Sequence, residues 1–563
     1  MNDTGIELTL KEWLYNVGIV GFVNIVGKDN ITIVDNSTIS FSKEVLHGFE
    51  NKYFDYFINT YEKILPWYKI ISYESEITRL ENNDFDTFDE KTLEQLNTYI
   101  KKVVKKSIKD DKERKKPAYK LMENGAELLR LEKKLDIIPS LKKSETLEDK
   151  KQDIISEVKI QFEILKRIIR CCQSYEGRRY LAGKSIIYNI INKAWGRVCF
   201  LNPQTKEKDM YVDFKNHFVT PTEDYINEED RKRKYHCFIC DRTIRNLNLN
   251  LSFLNQIGFD TSRKSSHVWN FTNDVGICPI CRLIYSCVPA GFTYVYDRGL
   301  FVNDSTTIDN LLRVNDNIKL STLQQNDTTV RSVNTYFALT KAIQEQFSGK
   351  VKYELADIQI VRYENETYRF NVLSRLTLSV LNQSKEAMSK LLNTGFREGN
   401  TNFNLYEIVM KKLFNNENLF TIIHKLIIYK LSNVTNLYYN ISHVNRLLEI
   451  NTNFLRGIGR MEGLIKEDVK LANDFGYYFR KAYQKKKSDN KLPGISYKLL
   501  NALKTNNINM FMDVLLNCYS YIKEQVPKLF LQVFTNDETF KTIGYAFVAG
   551  IIDNSSKNGE GRE

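Results

Sequence analysis

Two Cys-x-x-Cys pairs constrain this chain more than any other feature: HCFIC supplies Cys237 and Cys240, and CPIC supplies Cys278 and Cys281. A two-residue spacer lets both thiolates of a knuckle face one ion, and two knuckles complete a tetrahedral sulfur set. The 37 residues between the pairs must fold as a loop of their own. Closing that loop costs roughly 3 kcal/mol plus a constant, whereas structural zinc contributes an apparent ~10–16 kcal/mol. The metal therefore outweighs the loop. A redox reading needs only one pair, in a thioredoxin-like setting, and leaves the other without a purpose. Four thiolates close the coordination shell and leave no position for an activated water, so the expected ion, Zn2+, is structural. His236 and His267 are alternative ligands, and Cys287 is a spare that packs. The expectation is that the sulfurs pin an inserted loop to the apolar segment RLIYSCVPAGF that follows Cys281.

Nine cysteines in 563 residues lack the density of a secreted disulfide scaffold, and in a reducing compartment clustered cysteines point to metal. Cys171, Cys172 and Cys199 lie at or near helical segments and are expected in the core. With 42% hydrophobic and 12% aromatic residues the chain is globular. MNDTGIE carries two acids and no basic n-region of a signal peptide. The longest uncharged apolar runs, such as TIGYAFVAGII, fall short of the about 20 residues a spanning helix needs. A soluble, cytoplasmic protein without membrane partners is expected. The net charge is +12, and Lys101 to Lys120 alone hold ten bases and three acids. Arg231, Lys232, Arg233 and Lys234 form a second basic knot just before the first knuckle. Clustered positive charge suits a polyanion, because each neutralised phosphate releases counterions; a solvated helix face is the alternative for the first run.

Along the chain the pattern predicts an α+β fold. LKEWLYN reads as a short helix, VGIVGFVNIV as a buried strand, and ITIVD and ISF as further strands. Ser42 is placed to cap a helix through YFDYFINTYEKI. A long helix starts near Thr146, with Thr146 and Asp149 as an acidic capping box and Ile154, Ile155, Val158, Phe162, Leu165 and Ile169 on one face. KSIIYNIINKAW is a second helix, with Ile186, Ile187, Ile190, Ile191 and Trp195 on one side. Hairpins are expected around Asp297-Arg298-Gly299 and Glu364-Asn365. From Arg375 on, the chain reads as a helical bundle, with Thr535 and Glu538 capping its last helix and a disordered tail after it. The expected division is a mixed α/β N-terminal part (1–235) with basic segments, an inserted four-cysteine zinc-binding loop (236–292), a β-hairpin segment (293–374) and a C-terminal helical bundle (375–563).

Catalytic motifs are missing. GRRYLAGKS, Gly177 to Ser185, has five residues where a phosphate-binding loop has four, and a helix in place of a strand before it. GIGRMEG, Gly457 to Gly463, is one residue too long for a dinucleotide fingerprint. No His-Asp pair, His-Glu-x-x-His or Gly-x-Ser-x-Gly occurs, which shifts the balance from enzyme toward binding protein.

With LKEWLYNVGIVGF at the start, YHCFIC and CPICRLIYSCVPAGF at the quartet, VWNFTNDVG between them and a helical C-terminal third, the chain resembles the large subunit of a type I-B CRISPR Cascade complex (Cst-type). The resemblance implies a non-catalytic, cytoplasmic subunit of a prokaryotic RNA-guided machine. Such a subunit binds target double-stranded DNA, recognises the flanking PAM, helps to open the duplex and recruits a separate helicase–nuclease. Its implied partners are the backbone, guide-end-capping and small subunits and the crRNA. No PAM-contacting motif carries over. From the residues themselves the candidate nucleic-acid contacts are Arg178, Arg179, Lys184, Lys193 and Asn202, with Arg231 to Lys234. The resemblance also implies that the C-terminal helical part can be made separately from an internal start; from the residues, Arg456-Gly457, encodable as a purine run, points to Met461 and a part at 461–563, with Met410 and Met388 as rival starts. A stand-alone zinc-containing nucleic-acid-processing enzyme is the competing reading.

Overall fold

A computed structural model describes residues 5–114, 116–139, 147–228, 233–256, 275–295, 298–323, 358–364, 366–373, 375–461, 463 and 466–553. The fold is mixed α+β, predominantly helical, with small sheets, a four-cysteine cluster and a helical C-terminal region. It divides into two compact units: Met1–Leu312 with Tyr363–Tyr368, and Arg313–Arg362 with Arg369–Glu563. Among the described residues no helix is long and apolar enough to cross a membrane.

The first unit opens with a three-stranded antiparallel sheet in which Thr38–Phe41 lies between Ile6–Thr9 and Thr32–Ile33. VGIVGFVNIV is not a strand. It belongs to one helix, Trp13–Val26, buried on nearly every side. A continuous apolar run does not distinguish a buried strand from a helix sunk in the core. Gly18 and Gly21 let the helix backbone press against the segment that follows the second knuckle. A Cβ on Gly21 would lie 2.0 Å from the Cys287 carbonyl oxygen, and one on Gly18 2.6 Å from that of Ile284. The carboxylate of Glu12 caps the helix, accepting from the Leu14 and Tyr15 amides at 2.7 Å each.

Behind this helix lies an aromatic core. Tyr53 of the helix Phe49–Tyr61 stacks on Phe214 with centroids 4.2 Å apart, and Trp195 meets Phe200, Phe218 and Phe253. The Tyr53 hydroxyl and the Trp195 indole N–H both donate to the Ser286 carbonyl at 3.0 Å, so buried polar tips and aromatic bulk converge on one point. Ser42 caps only a short 3-10 turn, Lys43–Leu46, without a side-chain bond, and the next helix starts after Gly48 in the left-handed region (φ 65°). The long helix Leu147–Gln173 buries Ile154, Val158, Phe162, Leu165 and Ile169 as its periodicity predicts, whereas Ile155, expected on the same face, is only half-buried; Thr146 lies outside the described residues. The basic run 101–120 is helical over much of its length: a π-helical turn, Ile100–Lys105, continues into Lys106–Lys112. The expected hairpin is present as Thr293–Val295 paired with Arg298–Asn303, but Arg298 and Gly299, expected in its turn, lie in the second strand opposite Val295 and Tyr294.

Ile358–Glu364 and Thr367–Leu373 are neighbouring strands, and the second unit is otherwise largely helical. A small sheet of Gly395–Glu398, Thr401–Asn404 and Leu437–Tyr438 was not anticipated. Its strands are two to four residues long, too short to show alternation. The closest helix pair is Lys466–Lys485 with Asp537–Ile552: a Cβ on Gly476 would lie 2.0 Å from the Phe547 carbonyl, and one on Gly550 2.0 Å from that of Asn473. The final helix is capped by Asn536, whose side chain accepts from the Thr539 amide at 2.7 Å, and not by Thr535. Asn at this position is a better cap than Thr and lies one residue closer. The tail 554–563 lies outside the described residues.

Candidate metal centre

The sequence CPIC folds as a helix start. Cys278 is the N-cap of Pro279–Ser286, Pro279 takes the first-turn position where its missing N–H costs nothing, and the Cys278 Sγ accepts from the Cys281 amide at 3.3 Å. The first knuckle hangs on a two-stranded ladder, Tyr235–His236 with Thr243–Ile244. It is tied to the second by the Phe238 amide, which donates to the Gly276 carbonyl at 2.9 Å, and by the Cys278 amide, which donates to Cys237 Sγ at 3.2 Å.

Cys237, Cys240, Cys278 and Cys281 thus converge, their sulfurs all within 4.8 Å of one another. Three of the four are buried and Cys240 is half-buried. Cys240 and Cys278 approach to 3.6 Å, and none of the four is in a disulfide. As thiols they share protons: hydrogen bonds from the other three drive Cys240 far down, while donation toward Cys237 and Cys240 pushes Cys278 and Cys281 up. Sulfurs so close, held by backbone N–H groups and unbridged, could hold a metal ion. His236 is not part of the set. Its ring is exposed and lies 3.0 Å from the Asp241 carbonyl. His267 lies outside the described residues. Cys287 packs, fully buried, its thiol donating to the Leu283 carbonyl at 3.2 Å, and Cys171, Cys172 and Cys199 are likewise buried.

The surroundings of the quartet include residues that spacing alone did not reveal. The Tyr15 hydroxyl accepts from Cys281 Sγ at 3.6 Å; burial, then the charge of Cys281, pushes its pKa well up, so it stays neutral beside sulfur. Burial works against the charge of Arg242, but the neighbouring Cys240 and Cys278 sulfurs raise its pKa overall. Its guanidinium donates to the Glu7 carbonyl. Glu12, which caps the first helix, also accepts from the Tyr285 hydroxyl at 2.8 Å and so joins that helix to the one carrying Cys281. The position of Arg242, two residues beyond Cys240, was the only local hint.

The other described candidate residues make local contacts of their own. Arg178 reaches Asp55 at 3.1 Å and Asn59. Arg179 donates to Asn51 at 2.8 Å and lies 3.5 Å above the Tyr211 ring. Both hold a π-helical turn, Gly177–Ala182, onto the helix Phe49–Tyr61. GRRYLAGKS is therefore helix, not a phosphate loop. Lys193 lies 5.3 Å from the Tyr294 ring, and Asn202 caps a local turn through the Gln204 amide at 2.9 Å. Arg233 packs 4.0 Å over the Tyr225 ring and donates to the Glu228 carbonyl at 2.9 Å. Lys234 is exposed; Arg231 and Lys232 lie outside the described residues.

Lys184 is only 2% exposed, inside the fold and not on a surface. Burial lowers its pKa to about 8, with Asp111 opposing. Between about pH 8 and the pKa of an unfolded lysine, the unfolded chain binds the proton and the folded chain does not, so stability rises with pH through that window. The burden at pH 7 is at most ~3 kcal/mol. Lys184→Met is expected to be at least as stable as the parent in urea melts at pH 7, with the difference shrinking by pH 10. A variant equally destabilised at both values would remove the argument.

The fold and the site together define an α+β protein built around a four-cysteine knuckle pair. Residues 230–293, which span both knuckles and the helix beyond, match a family model described as CRISPR-associated protein (Cas_CXXC_CXXC). The match indicates a CRISPR-associated protein. No curated protein and no solved structure matches the chain.

Proposed function

We propose that this protein is the non-catalytic large subunit of a type I-B CRISPR interference complex. In this reading it binds target double-stranded DNA, recognises the PAM, supports duplex opening and recruits a separate helicase–nuclease. The observation that carries the reading is the family match centred on the quartet. The ion is Zn2+: four sulfurs at zinc–thiolate distance of roughly 2.3 Å span edges of about 3.8 Å, close to the 3.6 Å between Cys240 and Cys278. Cys237, Cys240, Cys278 and Cys281 would hold it as thiolates, and the bound ion would supply fold stability, not an activated water. Phe238, in the middle of the first knuckle, is 69% exposed beside exposed Tyr235 and Lys234, a mixture that suits nucleic acid. Its partners are the other Cascade subunits, the crRNA, target DNA and the helicase–nuclease.

The competing reading, a stand-alone zinc-containing nucleic-acid enzyme, has to find its catalytic groups outside a closed sulfur shell. Co-expression with neighbouring subunits and a guide array separates the two. A stable assembly retaining crRNA, with no cleavage by the isolated chain, is expected; robust metal-dependent cleavage by the isolated chain favours the rival. Within this reading, the second unit also contains helices from Lys466 to Ile552 that pack on one another and on the preceding helices Phe420–Leu431 and Ile441–Gly457. Met461 falls between the helices Ile441–Gly457 and Lys466–Lys485, whereas Met388 and Met410 lie inside helices. An internal start at Met461 would thus leave whole helices. Met461→Leu should abolish a short C-terminal product; persistence of that product rejects the start.

A further inference from the structure

A cleft of about 290 Å3 opens in the first unit, beside the basic run. Trp67, Ile70, Ile108, Leu128 and Leu181 form its apolar lining. Lys69, Lys102, Lys106 and Arg114 bring positive charge to it. The basic run is only partly paired with acids. Away from the cleft, Lys105, Lys109 and Lys112 each meet an acid: Asp136 at 3.7 Å, Glu113 at 3.7 Å and Glu132 at 2.7 Å. Among the described residues the side chains of Lys69, Lys102 and Lys106, all exposed and all lining the cleft, make neither ion pair nor hydrogen bond. Arg114 is held 3.6 Å from Asp111 and 4.6 Å over the Tyr188 ring. Two acids share the lining. Asp111 is occupied by the Ala118 and Tyr119 amides at 3.1 and 3.3 Å, and Asp110 is exposed.

Lys102 and Lys106, four residues apart, are like charges that cost the helix stability, offset in part by Asp110 four residues beyond Lys106. Unpaired cations around an apolar hollow match a ligand with anionic groups joined to a flat apolar one. The volume lies at the small end of ligand cavities, roughly 300–1,000 Å3, which gives room for one base and not for a stacked base pair.

We propose that this cleft takes a single nucleotide of an unpaired nucleic-acid strand, its base against Trp67, Ile70 and Leu181 and its flanking phosphates on Lys69, Lys102 and Lys106. The assignment rests on the nucleic-acid-binding reading above. Single strands are gripped in this way, with charge along the backbone and apolar surface for the bases.

The test uses the full-length chain and labelled 12-mers: dT12, rU12 and an abasic 12-mer of equal charge. Lys102→Glu/Lys106→Glu is compared with Lys91→Glu/Lys101→Glu, an equal charge change on exposed residues that do not line the cleft. The cleft variant is expected to bind dT12 or rU12 at least tenfold more weakly, with the salt slope of log Kd shallower by about 1.4, the value for two lost single-strand phosphate contacts. The control should lose less than threefold. Ser107→Trp, which fills the cleft without a charge change, should erase the preference of the parent for dT12 over the abasic strand. Preference for either rU12 or dT12 supports the assignment and identifies the strand. Equal losses in the two double variants would overturn it in favour of diffuse charge, and so would competition by poly-glutamate as strong as that by dT12. If the parent binds no oligonucleotide, the nucleic-acid reading itself falls; if it binds and only the cleft variants are silent, that reading stands and the cleft does not.

Discussion

Chelation of the purified protein is expected to release one zinc ion per chain and to unfold the first unit while the helices of the second remain. Structural zinc is worth an apparent ~10–16 kcal/mol, as much as or more than the ~5–15 kcal/mol by which folded domains exceed their unfolded state. Without the ion, four sulfurs remain crowded within 4.8 Å with only their own protons to share. The loss would not stay local. Cys278 caps the helix Pro279–Ser286, and that helix supplies the Ser286 carbonyl on which Tyr53 and Trp195 converge. Released from its cap, the helix would loosen the aromatic core. Single substitutions should grade by burial: Cys278→Ser and Cys281→Ser, fully buried, are expected to lose the metal and the first unit together, and Cys240→Ser, half-buried, to retain weaker binding. Elemental analysis, with limited proteolysis followed by mass spectrometry of the surviving fragment, measures both. A metal-free protein with unchanged proteolysis and melting would reject the structural role.

Residue types at fixed spacing carried the quartet: four cysteines in two identical motifs need no knowledge of the fold to be matched. Residues at long range did not announce themselves. Tyr15 and Glu12 are more than 250 positions from Cys281 and Tyr285, and nothing in their neighbourhoods marks them as companions of the site. Lys184 looked like a surface cation because its segment GRRYLAGKS is polar, yet a π-helical turn before it turns it inward. The pairing of the basic run was concealed for another reason: Lys105 and Lys112 meet Asp136 and Glu132, acids far along the chain that local spacing does not reveal. Helical periodicity was legible where the backbone stays regular, as along Leu147–Gln173.

Gly21→Ala is expected to cost the first unit at least ~3 kcal/mol, the upper range for overpacking, although in a helix the same change ordinarily gains ~1 kcal/mol. Surroundings decide the sign. The added methyl would meet the Cys287 carbonyl oxygen at 2.0 Å, and this is backbone, which no rotamer change can move aside. The partner segment has the reciprocal contact: a Cβ on Gly291 would lie 2.1 Å from the Val17 carbonyl. The two backbones therefore interlock from both sides, with Asn24 donating to the Ala290 carbonyl at 2.9 Å across the same seam. Forcing them apart moves the run that begins at Cys278, so the substitution should also weaken metal retention, although Gly21 touches none of the four sulfurs. Gly494 provides the control, because a Cβ there meets nothing within 4 Å in the helix Leu492–Lys504. Gly494→Ala is expected to be neutral or to stabilise by about 0.5–1 kcal/mol. Urea melts and zinc content of the two variants, measured side by side, check the contrast. Should Gly21→Ala keep its metal and melt as the parent does, the seam between Trp13–Val26 and the second knuckle is not what holds the site in register.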